Sequence, residues 1–167
     1  LSNTVVVSPD LGNAKQATLL ARLLNLPVAA GSKQRLADDR VVIDAIVGDV
    51  AGKRAIVLDD EIATGGSIVE IVTRLGDFGC SEVSVACTHG LFAGKAVEKL
   101  QGVSRIVEVV STNTVPPPVD FPGLTVLSVA ALFADAIDRI HNGRSVSKLF
   151  NDVDPAYAPP PEPEGLF

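Results

Sequence analysis

The chain has 167 residues, 47 % of them apolar, and carries 14 Lys and Arg against 20 Asp and Glu, a net charge of −6. That length suits one well-buried domain and is short for two of ordinary size. Nothing in the sequence resembles a basic nucleic-acid stripe, a membrane-spanning apolar run or a secretion signal, so neither nucleic acid nor membrane is expected as a partner and a cytoplasmic protein is.

The chain opens on Leu1, contains no methionine, and reads as strand from Thr4 to Ser8 with almost nothing before it, so the expectation is the later part of a longer protein. Residues 13–24 place Ala14, Ala17, Leu20, Ala21 and Leu24 on one helical face, and "LPVAA" returns to strand. "GSKQRLADDR" (31–40) is polar and glycine-led and reads as an exposed loop, mobile without ligand because little apolar material pins it. "VVIDAIVGDV" is apolar again, and "RAIVLDD" is too apolar for a sheet with one wet face, which predicts a central strand.

Beyond it, Ile68, Ile71, Val72 and Leu75 repeat at helical spacing up to Gly79. "EVSVACTHG" (82–90) predicts a strand, 95–100 a short helix, "RIVEVV" (105–110) and "LTVLSV" (124–129) two more strands, and 130–141 a closing helix capped by Asn142 and Gly143. Strands separated by helices predict an α/β fold: an open, doubly wound parallel sheet with helices on both faces over residues 1–150. Residues 151–167 hold four acids, no bases and five of the eleven prolines, and predict a flexible, Pro-rich acidic tail. The tail carries most of the charge imbalance, leaving 16 acids against 14 bases in residues 1–150. Cys80 and Cys87 lack metal-ligand spacing and read as reduced core thiols; His141 reads as a helix-end cap or surface residue, and His89, after a strand, either approaches the site or serves packing or an interface.

The chemistry concentrates in "VLDDEIATGGS" (57–67). In open α/β sheets ligands bind beyond the carboxyl ends of the strands, where Asp59 and Asp60 are expected. The small residues Ala63 to Ser67 form a turn into the next helix. Such a turn lets successive N–H groups converge on a dianionic phosphate, with Thr64 and Ser67 adding hydroxyls. The two carboxylates would repel that phosphate and suit sugar hydroxyls or hydrated Mg2+ instead. A sugar phosphate satisfies both demands. The run has neither the G-x-G-x-x-G of a dinucleotide site nor the lysine of a P-loop.

"VLDDEIATGGS" resembles the phosphoribosyl-diphosphate signature of the phosphoribosyltransferase fold. Together with "VVVSPDLG" (5–12), "KQR" (33–35), "IVGDVAGK" (46–53), "THGLFAG" (88–94) and "RIHNGRSVSKLF" (139–150), it is similar to the C-terminal domain of the ribose-phosphate diphosphokinases. These are transferases of nucleotide biosynthesis that move diphosphate from ATP to ribose 5-phosphate. The resemblance implies Mg2+ as cofactor, ATP and ribose 5-phosphate as ligands, a homo-oligomer, and a preceding N-terminal domain that supplies much of the nucleotide site.

Position by position, it implies that Asp10 ligates Mg2+ and that Asp10, Gly12 and Asn13 line the diphosphate. Lys33 and Arg35 are implied as the catalytic pair, with Arg35 also reaching ribose 5-phosphate. Asp59, Asp60, Ala63, Thr64, Gly65, Gly66 and Ser67 are implied to hold ribose 5-phosphate. Ala63 stands where these synthetases usually carry a third acid, a form that resembles adenine-type phosphoribosyltransferases. The other readings left by the residues are therefore a phosphoribosyltransferase and a non-catalytic subunit of the same fold.

Overall fold

The computed structural model describes residues 1–35, 41–118 and 120–151. Residues 1–128 form one compact unit and the chain from Val129 onward a second.

The first unit is a seven-stranded sheet in the order β3-β2-β1-β4-β5-β6-β7. Its strands are β1 (Thr4–Ser8), β2 (Val28–Arg35), β3 (Val41–Val47), β4 (Arg54–Ile62), β5 (Val83–Gly90), β6 (Ile106–Thr112) and β7 (Leu124–Leu127). All neighbours run parallel except the β2–β3 hairpin, which is antiparallel at one edge.

β1 shows why both faces must be covered. Val5, Val6 and Val7 are all fully buried, and alternation sends them to opposite faces. Val6 packs with Ala17 and Ala21 of helix α1 (Ala14–Leu24). Val5 and Val7 join the larger core formed with Ile68, Ile71, Val72 and Leu75 of α2 (Gly66–Asp77) and with Ala96 and Leu100 of α3 (Ala96–Gln101). The apolar spacing expected for the helix after the glycines is thus the face that α2 buries. Asn25 ends α1 in the left-handed conformation, φ 53°, which Asn tolerates better than most residues.

Successive strands are laid outward from β1 in one direction and from β4 in the other. Crossovers of one hand then put α1 on one face and α2 and α3 on the other, and leave a crevice between the carboxyl ends of β1 and β4.

The expected loop over 31–40 is corrected for its first half. Residues 31–35 are strand, pairing Gly31 with Ile46, Ser32 with Ala45, Lys33 with Ile43 and Arg35 with Val41. A hairpin ladder at a sheet edge satisfies the backbone whatever the polarity of its side chains, and polar residues are favoured on an edge. Residues 36–40 lie outside the described residues, as does the tail from 152 onward. Cys80 and Cys87 are free and buried, as expected for core thiols.

In the second unit, α4 (Ala130–His141) occupies its expected range, and a further short helix, α5 (Lys148–Asn151), follows. Within it, Arg139 Nε pairs with Asp135 Oδ1 at 3.0 Å, and Arg144 pairs with Asp138. Among the described residues, no helix is long and apolar enough to cross a membrane.

Candidate functional site

The crevice is built from two turns. In the first, after β1, Ser8 is fully buried and donates its hydroxyl to the Asp10 carbonyl at 2.6 Å, folding the chain back at once. Asp10 Oδ1 accepts the Asn13 N–H at 3.0 Å. A Cβ on Gly12 would lie 3.1 Å from that same oxygen, so a side chain there would crowd the carboxylate. Asn13 Nδ2 in turn donates to the Leu58 carbonyl of β4 at 3.0 Å. This cross-strand bond ties the Asp10 turn to the strand that carries Asp59. Sequence reasoning placed Asp10, Gly12 and Asn13 together but had no signal for the role of Ser8.

The second turn follows β4. The strand runs on through Asp59 and Asp60 to Ile62, and the turn from Ala63 leads into α2. Asp59 is half-buried, and burial pushes its carboxyl up to about 6. The Asp60 amide, donating to Asp59 Oδ1 at 3.0 Å, works against that rise, while the Asp60 side chain and the Asp10 carboxylate add to it. The Asp59 carboxyl thus senses the Asp10 charge across the β1–β4 crevice.

Asp59, Glu61 and residues 62–68 line a concavity of about 140 Å³. Gly65 stands before α2 with φ +73°, a left-handed conformation that side chains resist. None of the N–H groups of residues 63–68 donates to a protein acceptor among the described residues, and no side chain caps the helix. Unpaired N–H groups at a helix N-terminus, joined by the hydroxyls of Thr64 and Ser67, form an anion cradle. A larger concavity of about 250 Å³ lies elsewhere, over Thr4, Ile56, Ser84, Ala86 and Val110 in the body of the sheet. Its lining also carries Arg54 against Glu82 and Glu108, whereas the smaller one adjoins the unpaired N–H groups of the turn, so the smaller one is the chemical candidate.

The turn is held from outside by the "THGLFAG" segment. Leu91 and Phe92 N–H groups donate to the Ile62 carbonyl at 3.0 and 3.1 Å, and Ala93 N–H to the Ala63 carbonyl at 2.8 Å. A Cβ on Gly90 would sit 2.4 Å from the Phe92 ring, which is why glycine precedes Leu91 and Phe92 in this segment. The ring itself is buried edge-on against Phe121, centroids 5.1 Å apart. His89 lies in β5, its Nδ1 2.9 Å from the Thr114 hydroxyl.

Of the expected residues, the structure gathers Asp59, Ala63, Thr64, Gly65, Gly66 and Ser67 in one concavity and ties the turn of Asp10, Gly12 and Asn13 to the same strand. Asp60 is exposed, does not line the concavity, and accepts the Glu61 N–H at 2.8 Å. Lys33 and Arg35 fall on the outer part of β2. Because Ser8, the last residue of β1, pairs with Ala30, that part of β2 runs past the carboxyl end of β1. Glu61 and Ile68 line the concavity unanticipated; the available signals were position within the eleven-residue motif for Glu61 and the place directly after it for Ile68.

A mostly parallel α/β sheet with an anion cradle at its topological switch point defines a phosphate-binding α/β domain. Comparison with known proteins carries this further. The family described as phosphoribosyl synthetase-associated domain matches residues 43–151. A Streptomyces coelicolor relative is 54 % identical over 93 % of this chain and 50 % of its own. The ribose-phosphate pyrophosphokinase of Deinococcus radiodurans is 45 % identical over 89 % of this chain and 48 % of its own. The crystal structure of phosphoribosylpyrophosphate synthetase from Mycobacterium smegmatis superposes with a TM-score of 0.75 at 38 % identity, covering 84 % of this chain and 46 % of that one. The chain belongs to the phosphoribosyl synthetase (ribose-phosphate pyrophosphokinase) family, and it spans about half the length of these relatives.

Proposed function

We propose that this chain is the C-terminal domain of a ribose-phosphate pyrophosphokinase, a cytoplasmic enzyme that transfers the β,γ-diphosphoryl group of ATP to the 1-hydroxyl of ribose 5-phosphate, releasing AMP. The observation that carries the reading is the concavity in which unpaired N–H groups and two hydroxyls adjoin a half-buried carboxylate. The phosphate occupies the turn 63–67, and the ribose hydroxyls lie toward Asp59. The exposed Asp60 takes an outer role, toward hydroxyls or metal.

Asp10 holds Mg2+ in this reading. Its fit rests on donor chemistry: Asp10 and Asp59 are hard oxygen donors, and the Asp10 carboxylate helps to raise the proton affinity of Asp59, a repulsion that a divalent cation relieves. Among the described residues no three metal-ligating side chains converge. That suits an ion bound by one or two carboxylates, with waters and substrate phosphates completing its shell. When bound, the ion neutralises charge on the phosphates. Gly12 and Asn13 present the β1–α1 turn to the diphosphate. Lys33 and Arg35 on the β2–β3 hairpin stabilise the charge that spreads over the transferring group. Half the length of the relatives is outside this chain, and we assign the remainder of the nucleotide site to a preceding domain within a homo-oligomer.

Ala63, which lines the concavity, favours a phosphoribosyltransferase as the second reading. The adenine phosphoribosyltransferase of Giardia lamblia shares the fold at a TM-score of 0.53 and 16 % identity, over 66 % of this chain and 69 % of that one. Incubation of the full-length enzyme with ATP, Mg2+ and ribose 5-phosphate separates the two. AMP formation supports the synthetase; diphosphate released only from phosphoribosyl diphosphate plus a base overturns it. Calorimetric titration of ribose 5-phosphate into this chain tests the site itself.

A further inference from the structure

We propose that Lys99 of α3 is a positioning residue for the phosphate turn, holding the Thr64–Gly65 peptide in the orientation that offers the Gly65 N–H to the ligand. The proposal rests on the reading of residues 63–67 as the site of the 5-phosphate.

Four consecutive carbonyls, those of residues 62–65, decide which way the turn faces. Three are bound by backbone: Ile62 by the N–H groups of Leu91 and Phe92, Ala63 by that of Ala93, and Gly65 by that of Val69. The Thr64 carbonyl differs. Among the described residues its one donor is a side chain, the Lys99 ammonium at 3.2 Å.

In a planar trans peptide the carbonyl and the following N–H point in opposite directions. A Thr64 carbonyl drawn toward α3 therefore turns the Gly65 N–H away from α3, in the same sense as the N–H groups of Ala63 and Thr64. Among the described residues no backbone N–H holds the Thr64 carbonyl, so the Thr64–Gly65 peptide lacks the backbone restraint on reversal that the others have. It ends on a glycine in the left-handed conformation, and a Cβ there would still have ordinary contact distances, 3.5 Å to the Ala96 carbonyl and to Leu100. Reversal would present a carbonyl oxygen to a dianion in place of a donor. The Lys99 ammonium opposes it with a charge-assisted bond and adds a positive charge behind the turn.

The test uses this chain with ribose 5-phosphate and inorganic phosphate as titrants, and compares the wild type with Lys99→Met and Lys99→Arg. Lys99→Met should weaken both ligands about tenfold, and Lys99→Arg, which keeps the donor and the charge, should bind within about twofold of wild type. The thermal midpoint should be common to all three, because Lys99 is exposed. On ¹⁵N-labelled protein, the Gly65 amide proton should move downfield with inorganic phosphate in the wild type and in Lys99→Arg, and stay in place in Lys99→Met.

Equal affinity in Lys99→Met overturns the proposal while leaving the phosphate site intact. Equal loss in Lys99→Met and Lys99→Arg also overturns it, since a donor role predicts rescue. Absence of ligand binding by the wild type removes the site and this proposal together. Should Lys99→Met fail to fold, Lys99→Leu, which also removes the donor, is read by the same criteria.

Discussion

The β4–α2 turn and the β2–β3 hairpin serve the same end of the sheet and are built on opposite principles. The turn takes its shape from another part of the chain: the backbone of residues 91–93 and Lys99 hold its carbonyls, while Gly65 takes a conformation other residues avoid. The outer hairpin is a two-stranded ladder at the sheet edge, with a register shift between Ser32 and Lys33. The difference teaches a division of labour. A cradle whose donors are already aligned contributes to ground-state binding, because little reorganisation is left to cost affinity. Cations carried on an edge hairpin suit the moment at which charge develops.

The comparison breaks most visibly at the hairpin. Replacing Lys33 and Arg35 together with Ala in the full-length enzyme should lower kcat by a hundredfold or more, on the order of 3 kcal/mol, with little change in KM for ribose 5-phosphate. Steady-state kinetics decide it, and near-normal kcat would return the hairpin to ordinary edge structure.

The converse belongs to the turn. Gly66→Val should weaken ribose 5-phosphate binding by tenfold or more, about 1.5 to 3 kcal/mol as charge-assisted bonds are lost. The fold should persist, because a Cβ at Gly66 meets only the Thr64 hydroxyl, at 3.9 Å. Calorimetry beside circular dichroism reads both effects, and unchanged affinity would remove the turn from the site.

Next in size is Asp59. Its folded carboxyl titrates near 6 against an ordinary 3.8, chiefly through burial, so the folded state keeps a proton that the unfolded chain has lost. Unfolding between about pH 4 and 6 therefore releases a proton, and stability falls as pH rises through that window. Asp59→Asn should flatten that slope and stabilise the ligand-free protein above pH 6 by about 1 kcal/mol, a figure discounted for solvent screening of a half-exposed group. Denaturant melts across pH measure it; an unchanged slope would show that Asp59 is not the titrating group.

The smallest effect separates the two glycines. Gly65→Ala should cost about 1 kcal/mol of stability from its left-handed backbone, whereas Gly66→Ala should cost nearly nothing. Equal thermal midpoints for the two would contradict the strained turn.

Much of this was legible in the sequence, for identifiable reasons. The unbroken β-branched run of "TVVVS" and the period of three to four in 68–75 encode which elements form and what they bury, because burial of apolar surface dominates the stability of each element. The spacing of acids, small residues and hydroxyls in 57–67 was enough to expect a turn of small residues beside a carboxylate, and Asp59 and residues 63–67 do line one concavity. The strand nature of 31–35 was not legible: edge pairing depends on β3 being alongside, and local polarity argues the other way. Asp60 was not separable from Asp59, since adjacent positions on a strand face opposite ways and only the packed sheet decides which of them is covered.

Local sequence by itself therefore determined the elements and the chemical types available at their ends, because both follow from short-range periodicity and side-chain chemistry. The tertiary structure alone decided what joins them. Asn13 reaches the Leu58 carbonyl across 45 positions and Lys99 reaches Thr64 across 35. Bonds between residues so far apart in the chain exist only once the crossovers have laid β1 beside β4 and α3 beside the turn, and no local pattern records them.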